Sequence, residues 1–318
     1  MINSIIILSL LSLLLTFLFL KIFILIANKR FISEPNDRSS HKIPTLQGAG
    51  ISFVLIGSFF SYIIGNFSLV ITAIPIALVG LIDDLYKLNS ISRYVVHIST
   101  VFYLVNIYDL PKLIIFNQEI YGIFFELLFV VFLTGVINFI NFMDGIDGLV
   151  ALNLSIFIFV AAIEISPSFY PLLGSLIGFL IFNWSPAKLF MGDTGSTFLG
   201  GILVATILQK NSFIEIILFL LILSPILFDA FFCIIRRFME KENIFKPHSL
   251  HLYQRLYQAG WTHDKITIIY GLGTFILALF YLNKNYVAFL STIILEIFCG
   301  IYLDKKVALP FKKSLQNK

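Results

Sequence analysis

Apolar and polar positions in this chain separate into long blocks. Continuous apolar runs fall at 4–27, 49–65, 67–82, 94–110, 122–140, 148–165, 169–184, 195–209, 212–235, 265–282 and 286–303, with short polar stretches between them. About 20 apolar residues let an α-helix cross the hydrocarbon of a bilayer. A membrane β-barrel would instead show short alternating segments. The pattern therefore predicts an all-α, polytopic membrane protein of 10–11 transmembrane helices, the count left open because several runs are short and interrupted by Gly or Pro. Residues 1–318 read as one integral membrane domain. The first run is too long for a signal-peptide core and no small-residue cleavage site follows, so it is predicted to be the first span.

Composition narrows the class. Of 318 residues, 58% are hydrophobic and 13% charged, and the mean hydropathy is +0.95. A soluble domain carries about 25% charged residues, so a soluble enzyme, a disordered chain and a disulfide scaffold are excluded. Cys233 and Cys299 sit in apolar runs and read as core or lipid-facing residues, not as a disulfide or a metal thiolate. A net charge of +4 gives no support for a nucleic-acid partner.

The positions of Lys and Arg predict orientation. Of the 22, 18 fall in one set of loops, three (Lys112, Lys210, Lys284) in the other, and Lys21 lies near the end of the first span. The basic loops are expected on the cytoplasmic side, with the N-terminus outside and the C-terminus cytoplasmic. Nearly all remaining Asp, Asn and His share the basic side. A transporter would place such groups near the midplane, so an enzyme with its active site on the cytoplasmic face is favoured.

Four inner segments carry candidate chemistry. Asp83 and Asp84 end the third run; adjacent carboxylates at a membrane boundary suit a divalent cation or a proton transfer to phosphate, or are a helix-end pair facing water. Asn138, Asn141, Asp144 and Asp147 recur every three residues, which on a helix keeps them on one face; an ordinary Asp-Gly turn explains only part of that register. In the stretch from Asn183 to Ser196, Gly192 and Gly195 flank Asp193 just before a new run. Backbone N–H groups there suit phosphate oxygens and Asp193 suits a metal, or the segment is simply an N-capped helix. The longest inner loop holds His248, His251, Tyr253, Gln254 and Arg255. His-x-x-His can suggest zinc, but no third ligand is near in sequence; phosphate recognition by His and Arg, or a loop meeting lipid headgroups, fits better. The loop after the first run adds Arg38, His41 and Lys42. Asp229 is a candidate supporting residue, and His97 reads as a helix-packing residue.

Together these segments offer hard-oxygen carboxylates and cationic donors on one face. Mg²⁺ is the expected metal, since it takes one or two carboxylates plus substrate phosphates. The bilayer gives access to an amphiphile. The residues predict phosphoryl transfer between a nucleotide-linked group and a membrane lipid.

In this order the motifs resemble those of the polyprenyl-phosphate N-acetylhexosamine-1-phosphate transferases, a superfamily that includes the phospho-MurNAc-pentapeptide translocase and the GlcNAc-1-phosphate transferases of O-antigen and enterobacterial common antigen synthesis. The resemblance rests on Arg38-Ser39-Ser40-His41, Asp83-Asp84, Asn141 with Asp144-Gly145-Ile146-Asp147-Gly148, Phe190-Met191-Gly192-Asp193-Thr194-Gly195-Ser196 and the His loop. It implies attack of undecaprenyl or another polyprenyl phosphate on a UDP-N-acetylhexosamine, giving a polyprenyl-diphospho-sugar and UMP, with Mg²⁺, at the bacterial inner membrane. It further implies Asp193 as a metal ligand, and Asp83 or Asp84 as proton acceptor or metal ligand. Asn138, Asn141, Asp144, Asp147 and Asn183 would line the nucleotide site and Phe190 would stack on uracil. His248 and His251 would contact the diphosphate or sugar, with Arg38, His41, Lys42 and Arg255 binding substrate. The implied partners are the nucleotide sugar, the polyprenyl phosphate, membrane lipid and, as a candidate, a second copy in a homodimer.

Two departures bear on substrate. Tyr253 and Gln254 stand where the translocase and common-antigen branches carry clustered His, a pattern that looks like the O-antigen branch using FucNAc or QuiNAc. Leu46-Gln47-Gly48-Ala49-Gly50 stands where relatives commonly have Pro-Arg-Gly-Gly-Gly. The competing readings are the peptidoglycan translocase and, from another class, a transporter or flippase of polyprenyl-linked lipid.

Overall fold

The computed structural model describes residues 2–27, 31–35, 40–41, 43–65, 67–108, 110, 113–115, 118–120, 122–243 and 248–316. Arg38 and Lys42 lie outside the described residues. The protein is all-α and polytopic, 77% helical, and every apolar run of the sequence is helix. The order is α1 (Ile2–Ile26), β1 (Ile32–Ser33), β2 (Thr45–Leu46), α2 (Ile51–Ile64), α3 (Phe67–Tyr86), α4 (Ser90–Ile107), β3 (Leu113–Ile115), β4 (Gln118–Ile120), α5 (Ile123–Phe142), α6 (Leu149–Glu164), α7 (Phe169–Asn183), α8 (Gly192–Ile207), α9 (Phe213–Leu220), α10 (Ser224–Met239), α11 (Leu252–Gln258), α12 (His263–Leu282), α13 (Tyr286–Lys306) and α14 (Phe311–Gln316). The run at 212–235 is two helices, α9 and α10, joined by a 3-10 turn at Leu221–Leu223. Pro225 follows that turn; without an N–H it suits a helix start and not an interior.

The helix α8 is the centre of the bundle. Every residue from Thr194 to Ile207 is buried, and α3 and α5 pack along it. Such close approach needs small residues where little hydrophobic force acts between helices. A Cβ on Gly80 would lie 2.5 Å from the Asp193 carbonyl oxygen, and one on Gly50 would lie 2.5 Å from the Gly195 Cα. The outer helices show the opposite pattern. Leu10, Leu14 and Leu18 of α1 and Leu290, Ile294 and Phe298 of α13 are exposed, as the lipid-facing side of a membrane bundle requires.

One end of the bundle is more elaborate. The strands β1 and β2 pair antiparallel, and the Phe190 N–H donates to the Leu46 carbonyl at 2.8 Å. The Ala49 and Gly50 amides donate to the carbonyls of Phe190 and Met191, each at 3.0 Å. The loop after α1 is thereby zipped onto the segment that starts α8.

The structure corrects one register. Asn138 and Asn141 lie on α5, but that helix ends at Phe142. Asp144 and Asp147 stand in the turn before α6, so the four do not share one helix face. Two Asp-Gly steps end the helix, and Gly148 takes a φ of +73° that L side chains resist.

Candidate active site

The carboxylates converge where the C-terminal end of α3, the turn between α5 and α6 and the N-terminus of α8 meet. A polar cavity of about 230 Å³ there is lined by His41, Gln47, Asp84, Asn141, Asp144, Asp147, Asn183, Phe190, Asp193, Gln254 and His263, among others. Eight of the residues singled out in the sequence are thus brought together. Asp83, Asn138, His248, His251 and Arg255 are not among those lining it.

Asp84 is positioned by helix geometry. Its Oδ1 accepts the Asp193 N–H at 2.9 Å, and its Oδ2 accepts the Thr194 N–H at 3.0 Å and the Thr194 hydroxyl at 2.6 Å. The first amides of a helix lack intrahelical partners and carry the positive end of its dipole. A carboxylate from α3 therefore caps α8 from outside. Asp83 accepts the Leu88 N–H at 2.5 Å and the Arg93 guanidinium at 2.8 Å. Arg93 also donates to Asp193, so one cation joins the two carboxylates. Arg93 lies on α4, which begins four residues earlier than the apolar run indicated.

Asp144 and Asp147 sit in contrasting surroundings. Burial pushes the Asp144 carboxyl well above the usual range, and the charges of Asp193, Asp84 and Asp147 push it the same way. Among the described residues no donor is assigned to it. Burial also raises Asp147, but the His263 hydrogen bond and charge, with the Ala187 amide and the Ser185 hydroxyl, outweigh this and hold it below the ordinary value. His263 Nδ1 stands 3.1 Å from Asp147 Oδ2. The sequence reading gave His263 no role; its only local signal is its place after Thr262 at the start of α12.

Two asparagines fix backbone. Asn183 accepts the Gly148 N–H at 3.1 Å and donates to the Leu189 carbonyl at 2.9 Å, tying the aspartate turn to the segment before α8. Asn141 accepts the Ser196 hydroxyl at 3.1 Å. Asn138 donates back to Thr134 within its own helix. At the cavity mouth the rings of His41 and Phe190 meet edge to face, centroids 4.9 Å apart, leaving an aromatic surface fit to meet a flat base.

Arg255 is placed elsewhere. It is buried, paired with Asp304, and donates to the carbonyls of Leu250 at 3.1 Å and Leu309 at 3.0 Å, so its guanidinium holds the chain near α14 together. Cys233 is a buried core residue as expected, and the fold also brings its sulfur near one ring nitrogen each of His248 and His251, a third possible ligand distant in sequence.

The acidic groups around Asp144 and Asp193 are all carboxylates, so the anionic donors there are oxygen. Several carboxylates with a single arginine between them leave negative charge uncompensated, which suits a hard divalent cation such as Mg²⁺. A second cavity, of about 370 Å³ and apolar, runs between α2 and α3 from Tyr62 to Leu81 and reaches Thr194.

Residues 66–211 match the model of the family described as glycosyl transferase family 4, a segment holding all five aspartates of this site. The chain is 41% identical over 106 residues to the probable undecaprenyl-phosphate N-acetylglucosaminyl 1-phosphate transferase of Bacillus subtilis, covering 32% of this chain and 30% of that protein. It is 33% identical over 110 residues to the phospho-N-acetylmuramoyl-pentapeptide-transferase of Carboxydothermus hydrogenoformans, covering 34% and 33%. It is 26% identical over 300 residues to the decaprenyl-phosphate N-acetylglucosaminephosphotransferase of Mycobacterium leprae, covering 78% and 75%. The match thus spans under a third of the first relative's length and three quarters of the last.

Proposed function

We propose that this chain, whose residues 66–211 match glycosyl transferase family 4, belongs to the polyprenyl-phosphate hexosamine-1-phosphate transferase superfamily and transfers a sugar 1-phosphate from a UDP-N-acetylhexosamine to a polyprenyl phosphate. The observation that carries this reading is the convergence of Asp84, Asp144, Asp147 and Asp193 on one polar cavity. An apolar groove reaching Thr194 lies beside it. A polar site beside an apolar groove suits a substrate with a phosphate head and a hydrocarbon tail. The Lys and Arg distribution supports a cytoplasmic opening, where a nucleotide sugar is found.

In this reading a lipid phosphate oxygen forms a bond to the β-phosphorus of the nucleotide sugar. The bond to the bridging oxygen breaks, and UMP leaves with that electron pair. A phosphate monoester has its second pKa near 6, so at neutral pH the acceptor is largely a dianion and needs little help losing a proton. Asp83 and Asp84 are then positioning residues: one orients Arg93, the other holds the start of α8. Phe190, flanked by His41, offers its ring to uracil. Asp144 and Asp193 would hold Mg²⁺, which when bound supplies charge neutralisation to the diphosphate oxygens. Asn183 keeps the two loops that form the cavity in register.

The sugar follows the His-loop pattern of this sequence, which favours a FucNAc- or QuiNAc-type donor in O-antigen or another envelope polysaccharide over the MurNAc-pentapeptide. Mass spectrometry of the lipid product formed from a panel of UDP sugars tests this. Product from the MurNAc-pentapeptide donor alone would overturn the branch. The transferase reading itself expects Asp193→Asn to abolish UMP release from folded protein; near-normal release would sink it.

A further inference from the structure

Behind the aspartate cavity, α10 and the segment before α11 bring together three side chains of another character. The Cys233 sulfur and one ring nitrogen each of His248 and His251 lie within 4.8 Å of one another. The imidazoles overlap, centroids 4.9 Å apart. Cys233 and His251 are only 6% and 2% exposed. The Nδ1 of His251 is sealed from solvent and faces the Asp229 carboxylate, with Oδ1 3.7 Å away, which leaves Nε2 as the nitrogen to ligate a metal.

We propose that Cys233, His248 and His251 form a zinc site, chemically distinct from the aspartate cavity. One thiolate and two imidazoles select Zn²⁺, whereas carboxylates and phosphates select Mg²⁺. Zinc bonds of about 2.3 Å to sulfur and 2.0–2.1 Å to nitrogen, set tetrahedrally, place donors roughly 3.3–3.6 Å apart. The three groups close by about 1 Å on binding, chiefly by movement of the half-exposed His248. The thiol proton passes to solvent as the metal–sulfur bond forms.

Asp229 stands as the orienting carboxylate beside His251. It is itself fixed by the amides of Leu252 at 2.7 Å and Tyr253 at 3.0 Å and by the Tyr270 hydroxyl at 2.8 Å. Water takes the fourth position. The site pins the start of α11 to α10. From there Tyr253, stacked on His251, donates to the Phe142 carbonyl at 3.0 Å, and Gln254 lines the aspartate cavity. The metal therefore braces one wall of that cavity from behind.

The test uses the full chain in detergent, carrying a tag free of histidine and grown with zinc, and measures metal content by plasma mass spectrometry. About one zinc per chain is expected in the wild type and less than about a tenth in Cys233→Ser or His248→Gln. Cobalt added to the metal-stripped wild type should give an intense thiolate-to-cobalt charge-transfer band in the near ultraviolet. A wild-type chain with neither zinc nor that band overturns the proposal even where the variants fail to fold. Full zinc content in Cys233→Ser overturns it as well. Neither readout involves sugar transfer, so this result stands or falls apart from the transferase reading.

Discussion

Replacing Asp84 separates a positioning carboxylate from a reacting one. Its two oxygens accept three hydrogen bonds from the first turn of α8. Losing a side-chain cap costs about 0.5–2 kcal/mol, and a negative charge at a helix N-terminus contributes a further 0.3–1 kcal/mol or so. Asp84 is half-buried, so solvent recovers part of the loss. Asp84→Ala should therefore destabilise the protein by about 1–2 kcal/mol. Asp84→Asn keeps one acceptor oxygen, loses the charge and places an NH₂ where an oxygen stood; it should cost about 1 kcal/mol. The assay is thermal unfolding in detergent beside UMP release from the same preparations. Stability should fall in the order wild type, Asn, Ala, and activity at a temperature where all three are folded should fall in that order too, without vanishing in Asn. Asp84→Ala unfolding at the wild-type temperature would refute the cap. Asp84→Asn folded as the wild type yet wholly inactive would refute the division of roles and make Asp84 a reacting group.

Arg93→Ala removes the cation between Asp83 and Asp193; the pair is partly exposed, so the loss should be about 1 kcal/mol, and Mg²⁺ should raise the unfolding temperature of the variant more than that of the wild type. An equal Mg²⁺ increment in both would count against a shared negative field. Phe190→Ala should raise the KM for the UDP sugar about tenfold, the equivalent of roughly 1.4 kcal/mol of lost stacking, with kcat changed little; a kcat effect at constant KM would argue against base stacking. Asp147 is held below its ordinary value, so it stabilises the fold above its unfolded pKa of about 3.9 and the contribution is lost as pH falls through the lower folded value. Asp147→Asn should accordingly unfold earlier than the wild type above about pH 5, with the two curves converging as the pH falls below the ordinary carboxylate range; a gap that widens on acidification would contradict the sign.

Features with local causes were legible in the sequence. Hydrophobic length marks the helical runs, because a span must hide its own backbone, but not the break that divides 212–235 into α9 and α10. The Asp193 segment marks the start of α8, whereas the Asp-Gly steps before α6, which the three-residue spacing put on one helix face, form a turn. Partnerships between distant segments were not legible. Arg93 reads as an ordinary loop cation until the early start of α4 places it against Asp193. His263 is a lone residue until α12 sets it beside Asp147, 116 positions away. Cys233 lies in an apolar run whose hydropathy gives no hint that two imidazoles fold onto it. Arg255 misled in the other direction: its place beside the His motif suggested phosphate, while its partners are Asp304 and two carbonyls.

The same partnerships bear on where a divalent cation belongs. Five aspartates gathered at a membrane boundary would repel one another strongly at low dielectric. The fold offsets most of that repulsion with its own groups. Arg93 serves Asp83 and Asp193, the N-terminus of α8 serves Asp84, and His263 with the Ala187 amide serves Asp147. Asp144 alone has no assigned donor among the described residues, and its charge is opposed both by burial and by three neighbouring carboxylates. Burial and like charges disfavour the anion there, and a cation would favour it. Asp144 shares the cavity with Asp193, which is paired with Arg93. Under the proposed function, a hard cation would therefore be held at Asp144, with Asp193 as its neighbour, rather than at the Asp83-Asp84 pair that stands out in the sequence.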